Sequence, residues 1–283
     1  MRSSVVVTGA AGYIGRWVVR RLADEGIPTI AVGRSPIPEE WSGSHTVQWL
    51  QADALTPAPE IASALRSARA LVHLAWEDGF VLNSRRHPEM VSAHYRFLMA
   101  ALDAGVPRVA AAGTMHEVGY WEGAVAADTP TAPVSLYGLA KDALRKMLFA
   151  SLGDRDERLL WMRFFYIYGD DRNNQSIFTK LLQAADEGRT DFPFTSGTNQ
   201  YDFIHIEELA RQIVGVVLSD SSSGVLQVSS GRSEALGERV ETFIRDNGLD
   251  VRLKYGAFPD RPSDSPAVWG DASAVRAILA GGA

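Results

Sequence analysis

"VVVTGAAGYIG", Val5 to Gly15, sets three glycines three residues apart directly behind a β-branched run. Val5 to Val7 read as a buried strand. The segment "GYIGRWVVRRLADEG" that follows places Ile14, Trp17, Val18 and Leu22 on one helical face, with Gly26 as its stop. Gly9 then falls where the chain turns from strand to helix, Gly12 where backbone N–H groups approach a pyrophosphate, and Gly15 where the helix packs closely on the sheet. The helix N-terminus adds partial positive charge toward such phosphates. The pattern begins at Thr8 as Thr-Gly-x-x-Gly-x-x-Gly, and its strand–turn–helix setting predicts dinucleotide binding over a merely glycine-rich surface loop.

Outward from this turn, apolar runs alternate with helical patterns. "PTIAVGR", "HTVQWLQAD", "ALVHLAW", "PRVAAAGT" and "RLLWMRFFYIYG" read as strands, and "EIASALRSA", "HPEMVSAHYRFLMAALDAG" and "SLYGLAKDALRKMLFASL" as helices. Such alternation predicts an α/β fold, a doubly wound parallel sheet of the Rossmann kind with right-handed crossovers. The sequence divides into a dinucleotide-binding domain over residues 1–165, rejoined by 203–230, and a smaller C-terminal lobe over 166–283. In an open α/β sheet that lobe would cap the crevice at the strand carboxyl ends and form a substrate pocket.

The chain has 283 residues, a net charge of −6 and no cysteine. That balance offers no basic footprint for nucleic acid or an anionic membrane, and it excludes disulfides and thiolate chemistry. No apolar run is long enough to span a bilayer, and the N-terminal stretch is too short for a signal-peptide core, so a cytoplasmic protein is expected. Six histidines are scattered outside any metal-ligand spacing, and no metal is expected. His73, inside an apolar strand, reads as a satisfied core residue.

The second strand ends "AVGRS" where an acidic residue would hold the ribose of NAD. Gly33 leaves space, and Arg34 with Ser35 would bind a 2′-phosphate, with Arg16 at the first helix turn in reach of the same group, so NADP(H) is the expected cofactor and NAD(H) the alternative. Asp53, after the third strand, is placed to accept a hydrogen bond from an adenine amino group; an ordinary turn-capping Asp is the competing reading. "YGLAK" sets Tyr137 and Lys141 four apart on one helix face. An ammonium near a phenol favours the phenolate and lowers the tyrosine pKa from about 10, which suits proton exchange with an alcohol oxygen. Thr114, at the end of "AAGT", exposes a hydroxyl to the same oxygen.

Taken in order, "TGAAGYIG", "QADAL", "LVHLAW", "AAGTMHEVG", "SLYGLAK", "MRFFYIYG", "DFIHIEELA" and "RPSDSPAVWGDAS" resemble the extended short-chain dehydrogenase/reductase family, the group of nucleotide-sugar epimerases, dehydratases and 4-ketoreductases. The resemblance covers essentially the whole chain. It implies Tyr137 as acid/base, Lys141 on the nicotinamide ribose and tuning Tyr137, and Thr114 as hydroxyl partner. It implies that Gly9, Gly12, Tyr13, Ile14, Asp53, Leu74, Ala75 and Trp76 line the cofactor, with Phe164 near the nicotinamide. Arg261 and Asp264, in "RPSD", match the family's substrate-binding segment.

Three departures qualify the likeness. Tyr166 stands where sugar-nucleotide epimerases usually carry Asn, and Tyr201 where they tend to carry Arg, so the contact to a diphosphate is altered or moved. The segment Gly113-Thr114-Met115-His116-Glu117 looks like that of the 4-ketoreductases rather than the epimerases, and His116 and Glu117 are candidate substrate contacts. The expected activity is reduction of a nucleotide-linked 4-keto-6-deoxyhexose. A nucleotide-sugar epimerase and a non-catalytic dinucleotide sensor are the alternatives. The apolar helices "FLMAALDAG" and "ALRKMLFASL" would pair two copies into a homodimer.

Overall fold

The structure, a computed structural model, describes residues 3–153, 158–169, 172, 174–260 and 264–281. Seven parallel strands form the main sheet, in the spatial order Gly224–Val228, Leu159–Phe164, Val109–Thr114, Ala68–His73, Ser4–Thr8, Thr29–Gly33, Val47–Gln51. The order reverses between Ser4–Thr8 and Ala68–His73, which makes a doubly wound sheet with its switch point at the glycine turn, as the sequence predicts.

Alternation along each strand decides which helices it meets. Val5 and Val7 join Val18, Leu22, Ile213 and Val217 on one face, under the helices Tyr13–Asp24 and Ile206–Leu218. Val6 and Leu71 join Leu98, Leu102, Leu144 and Leu148 on the other, under Arg86–Asp103 and Leu136–Leu152. A third core, built on Phe178, Phe194, Tyr201, Phe203 and Phe243, lies among smaller sheets toward the C-terminus.

"RLLWMRFFYIYG" reads as one strand, but the chain breaks it at Phe165. Leu159–Phe164 stays in the main sheet, and Tyr166–Tyr168 pairs in parallel with Phe203–His205. Phe165, 7% exposed, sits in the third core beside Gly270, whose missing side chain makes room for its ring. Apolar content on both sides of the break is alike, so periodicity alone does not mark it. Gly224–Val228 forms an edge of the main sheet beside Leu159–Phe164. No helix among the described residues is long and apolar enough to cross a membrane.

Gly15 shows how tightly the first helix seats. A Cβ there would stand 2.1 Å from the Gly9 carbonyl oxygen. Gly15→Ala is therefore expected to cost about 2 kcal/mol by overpacking. Urea unfolding should show this as a lower midpoint at unchanged slope.

Candidate active site

The carboxyl ends of the strands at the switch point border a cleft of about 410 Å³. Gly9, Gly12, Arg34, Ser35, Asp53, Leu74, Ala75 and Trp76 all line it, which brings together most of the sequence-predicted cofactor residues. Gly9 has φ of 69°, and a Cβ on it would stand 2.7 Å from the Ala75 backbone nitrogen. Only glycine allows that turn and that closeness. Gly12 is the N-cap of the helix Tyr13–Asp24 and supplies no side-chain cap, so the cradle at the helix start is left to a ligand's oxygens. These features fit a dinucleotide pyrophosphate. Tyr13 and Ile14 begin the helix half-buried, outside the cleft wall, and the Tyr13 hydroxyl reaches toward Gly169.

The end of the cleft where the sequence reading places the adenosine differs from that reading in two ways. The space expected at Gly33 is taken by the indole of Trp49, which a Cβ on Gly33 would meet at 2.6 Å. Trp49 also donates its Nε1–H to the Ser35 carbonyl at 3.1 Å. Arg34 is exposed, and its guanidinium is ion-paired with Glu77, whose other oxygen accepts from Arg86 at 2.6 Å. Hydrogen bonds from Arg86 and then Arg34 hold the Glu77 carboxyl below its ordinary pKa. Any phosphate reaching Arg34 would meet this carboxylate. Asp53 lines the cleft and also holds its own turn, accepting from Leu55 N at 3.0 Å and Thr56 Oγ1 at 3.2 Å.

The reacting end is assembled where Val109–Thr114 finishes. Thr114 begins a short 3₁₀ turn, Met115–Glu117, closed by a capping box: its Oγ1 accepts from His116 N, and Glu117 reaches back to Thr114 N at 2.8 Å. The helix Leu136–Leu152 starts at the Ser135 cap and presents Tyr137 to the same place, beside the Thr114 side chain. Lys141, one turn on, donates to the Ala112 carbonyl at 2.7 Å and rests 3.7 Å from the centre of the Trp76 ring. Phe164 lies level with Thr114 on the neighbouring strand.

Electrostatics here run against the expectation that the ammonium lowers the tyrosine pKa. Lys141 stands 5.9 Å from the Tyr137 ring centre, and burial pushes the Tyr137 pKa up, with the Thr114 hydrogen bond opposing and Glu117 adding to the rise. Burial lowers Lys141 to about 7, against the pull of Glu117. Desolvation disfavours both charged forms and is the largest cause of each shift.

Glu117 is not a substrate contact. It is fully buried, and its two oxygens accept from Thr114 N, Trp161 Nε1, Arg163 Nε and Arg145 Nε. A Cβ on Gly113 would stand 2.2 Å from Trp161 Nε1 and 2.7 Å from Glu117 Oε1, which accounts for the glycine in this segment. His116 faces Tyr137, ring centres 6.0 Å apart; burial lowers its pKa and Asp264 opposes that. Tyr166 and Tyr201 lie ring to ring at 4.3 Å, with Phe203 beside both. Arg261 lies outside the described residues.

Sequence reading missed two residues here, His87 and His94. Trp76 donates its Nε1–H to His87 Nδ1 at 3.1 Å and stacks on His94 at 4.3 Å. His73 is hydrogen-bonded through both ring nitrogens, to Thr8 and to His94. The available signal was spacing: His87, Met90, His94 and Leu98 form one buried helical stripe.

A family model described as "NAD dependent epimerase/dehydratase family" matches residues 5–228. The dTDP-6-deoxy-L-talose 4-dehydrogenase (NAD(+)) of Aggregatibacter actinomycetemcomitans is 40% identical over 271 residues, 94% of this chain and 99% of that one. A UDP-glucose 4-epimerase of Azospirillum brasilense is 27% identical over 97% of this chain and 86% of its own. Among solved structures, MoeE5 in complex with UDP-glucuronic acid and NAD superposes with a TM-score of 0.81 at 26% identity, covering 98% of this chain and 92% of that one. This chain belongs to the NAD-dependent epimerase/dehydratase family.

The Lys141 pKa yields a prediction about stability. Lowered from 10.5 to about 7 in the fold, the amine binds more protons when unfolded, so its burial penalty is full below pH 7 and fades as pH rises to 10.5. The cofactor-free Lys141→Met protein should melt higher than wild type at pH 6.5, with the gap narrowing toward pH 10. A gap independent of pH would contradict this.

Proposed function

We propose that this chain interconverts the C4 alcohol and ketone of a dTDP-linked 6-deoxyhexose, using NAD(H). One observation carries the reading: the Tyr137 phenol lies beside the Thr114 side chain at the strand ends, near enough for that hydroxyl to act on its pKa, with Lys141 one helical turn behind. The likeness to a dTDP-6-deoxy-L-talose 4-dehydrogenase over nearly the full length of both chains supports the substrate class. Dehydrogenation and 4-keto reduction are one reaction run in opposite directions, so the reductase expected from "GTMHE" and this relative describe the same catalyst.

The nicotinamide, when bound, supplies or accepts the hydride. Gly9, Gly12 and the helix start would hold the pyrophosphate, and Lys141 the neighbouring ribose. In the reductive direction Thr114 orients the carbonyl oxygen and Tyr137 delivers the proton to it. The raised pKa suits that role, since burial keeps the phenol protonated until the alkoxide forms. The Tyr166–Tyr201 pair offers the nucleotide a flat apolar surface to stack on. Leu139 and Met147 are exposed on the helix Leu136–Leu152, which supports a homodimer built on that face.

NAD(H) replaces the NADP(H) preference read from Arg34 and Ser35. Glu77 pairs with Arg34 and would repel a 2′-phosphate brought to it, and the 40%-identical relative is named as NAD(+)-dependent. Glu77→Gln is expected to raise the ratio of NADPH to NADH efficiency about tenfold, from loss of one close like charge. An unchanged ratio in steady-state kinetics would reject Glu77 as the discriminator.

The deciding assay follows absorbance of reduced nicotinamide with purified protein, NADH and a panel of dTDP-linked 4-keto-6-deoxyhexoses. Net NADH loss is expected with one member. Tyr137→Phe should lower kcat by about 10²- to 10⁴-fold while leaving the Kd for NADH near wild type. A sugar inverted at C4 without net NADH loss would make the chain an epimerase instead.

A further inference from the structure

Lys141 carries its charge where little is built to receive it. The side chain is buried, and among the described residues its ammonium makes one hydrogen bond, to the Ala112 carbonyl at 2.7 Å, and no ion pair. Glu117, the anion that acts on it, is already shared by Arg163 and Arg145. His73, from the strand Ala68–His73, and His94, from the helix Arg86–Asp103, are held neutral near pH 7 chiefly by burial. Tyr137, on the same helix as Lys141, is kept protonated by burial as well.

What the ammonium does face is an aromatic ring. Its Nζ lies 3.7 Å from the centre of the Trp76 ring, inside the about 6 Å reach of a cation–π contact. Trp76 is itself held in place. Its Nε1–H donates to His87 Nδ1 at 3.1 Å, so His87 carries its proton on Nε2 and donates it to the Val81 carbonyl at 2.9 Å. His94 stacks on the indole at 4.3 Å, with the planes 20° apart. Donation of the indole N–H polarises the ring toward greater electron density, and the dry surroundings strengthen its pull on a cation.

Magnitudes give this contact its weight. Burial pulls Lys141 down to about 7, so amine and ammonium are closely balanced at neutral pH. A contact worth about tenfold in proton affinity then decides which form the site contains, and a desolvated cation–π contact with Trp is of that order.

We propose that Trp76 is a positioning residue for Lys141, its indole face, set by His87 and His94, keeping the buried side chain an ammonium for the reacting end of the site. That the ammonium serves catalysis rests on the dehydrogenase reading above; the contact that maintains it does not. Sequence reading gave Trp76 a place in the cofactor wall alone.

The chain has four lysines, and Lys146, Lys180 and Lys254 are exposed. Protein labelled with ¹³C at the lysine ε carbon therefore gives one buried signal to titrate, with neither cofactor nor sugar present. In the wild type its protons should lie upfield of the other three, shifted by the indole ring current. Trp76→Leu should remove that shift and lower the Lys141 pKa by about one unit, a tenfold loss of proton affinity. Trp76→Phe restores a ring and should recover part of it. A pKa unchanged or raised in Trp76→Leu, or no ring-current shift in the wild type, overturns the proposal. Should Trp76→Leu fail to fold, the wild-type shift and the Trp76→Phe titration decide. Turnover of NADH with a dTDP-linked 4-keto sugar gives a second readout. The pH above which it falls should move down in Trp76→Phe; an equal loss at every pH would mark a merely structural role and overturn the proposal too. If no sugar turns over, the dehydrogenase reading falls, and the Lys141 titration still decides this inference.

Discussion

The carboxylate of Glu117 has no exposure to water and accepts four hydrogen bonds from three parts of the chain. Through Thr114 N it fixes the end of one strand. Through Trp161 and Arg163 it fixes the adjacent strand, and through Arg145 the helix that carries Tyr137 and Lys141. Arg145 and Lys146 in turn share Asp142, so the buried negative charge is balanced within one network. Such an assembly adds little net stability compared with an apolar core, but losing one partner leaves a stranded charge at about 3–5 kcal/mol. The spacing between the Thr114 hydroxyl and the Tyr137 phenol follows from it.

The cofactor cleft is governed by a different constraint, backbone proximity at the glycine turn. Gly9 against Ala75 and Gly15 against Gly9 leave no room for side chains, and an open cradle at the helix start results. Aromatic rings then shape the two ends. Trp49 closes the floor at Gly33, while Trp76 lies against the Lys141 ammonium and carries His94 and His87 on its flanks. At the other end Glu77 bridges Arg34 and Arg86, so neither arginine stands without a carboxylate beside it.

Much of this was legible in the sequence because it depends on local spacing. The strand–turn–helix glycines, the helical stripe bearing Tyr137 and Lys141, and the strand alternation specify the doubly wound sheet and one wall of the site. What was not legible depends on residues distant in sequence. Glu77 is 43 residues from Arg34 and reverses the meaning of that arginine. Trp161 and Arg163 convert Glu117 from a candidate contact into an internal brace. The break at Phe165 is invisible to hydrophobic pattern because both strands that flank it are apolar. The pKa of Tyr137 could not be read from Lys141 alone, since burial is a property of the whole packing.

That break has a kinetic meaning. Phe165 is a single residue of tether between a strand of the cofactor-bearing sheet and the strand that carries Tyr166. A segment held so short can tilt but has little room to swing. Relative movement of these two strands is then confined to small tilts, and any larger rearrangement at this edge of the cleft is left to side chains and surface loops.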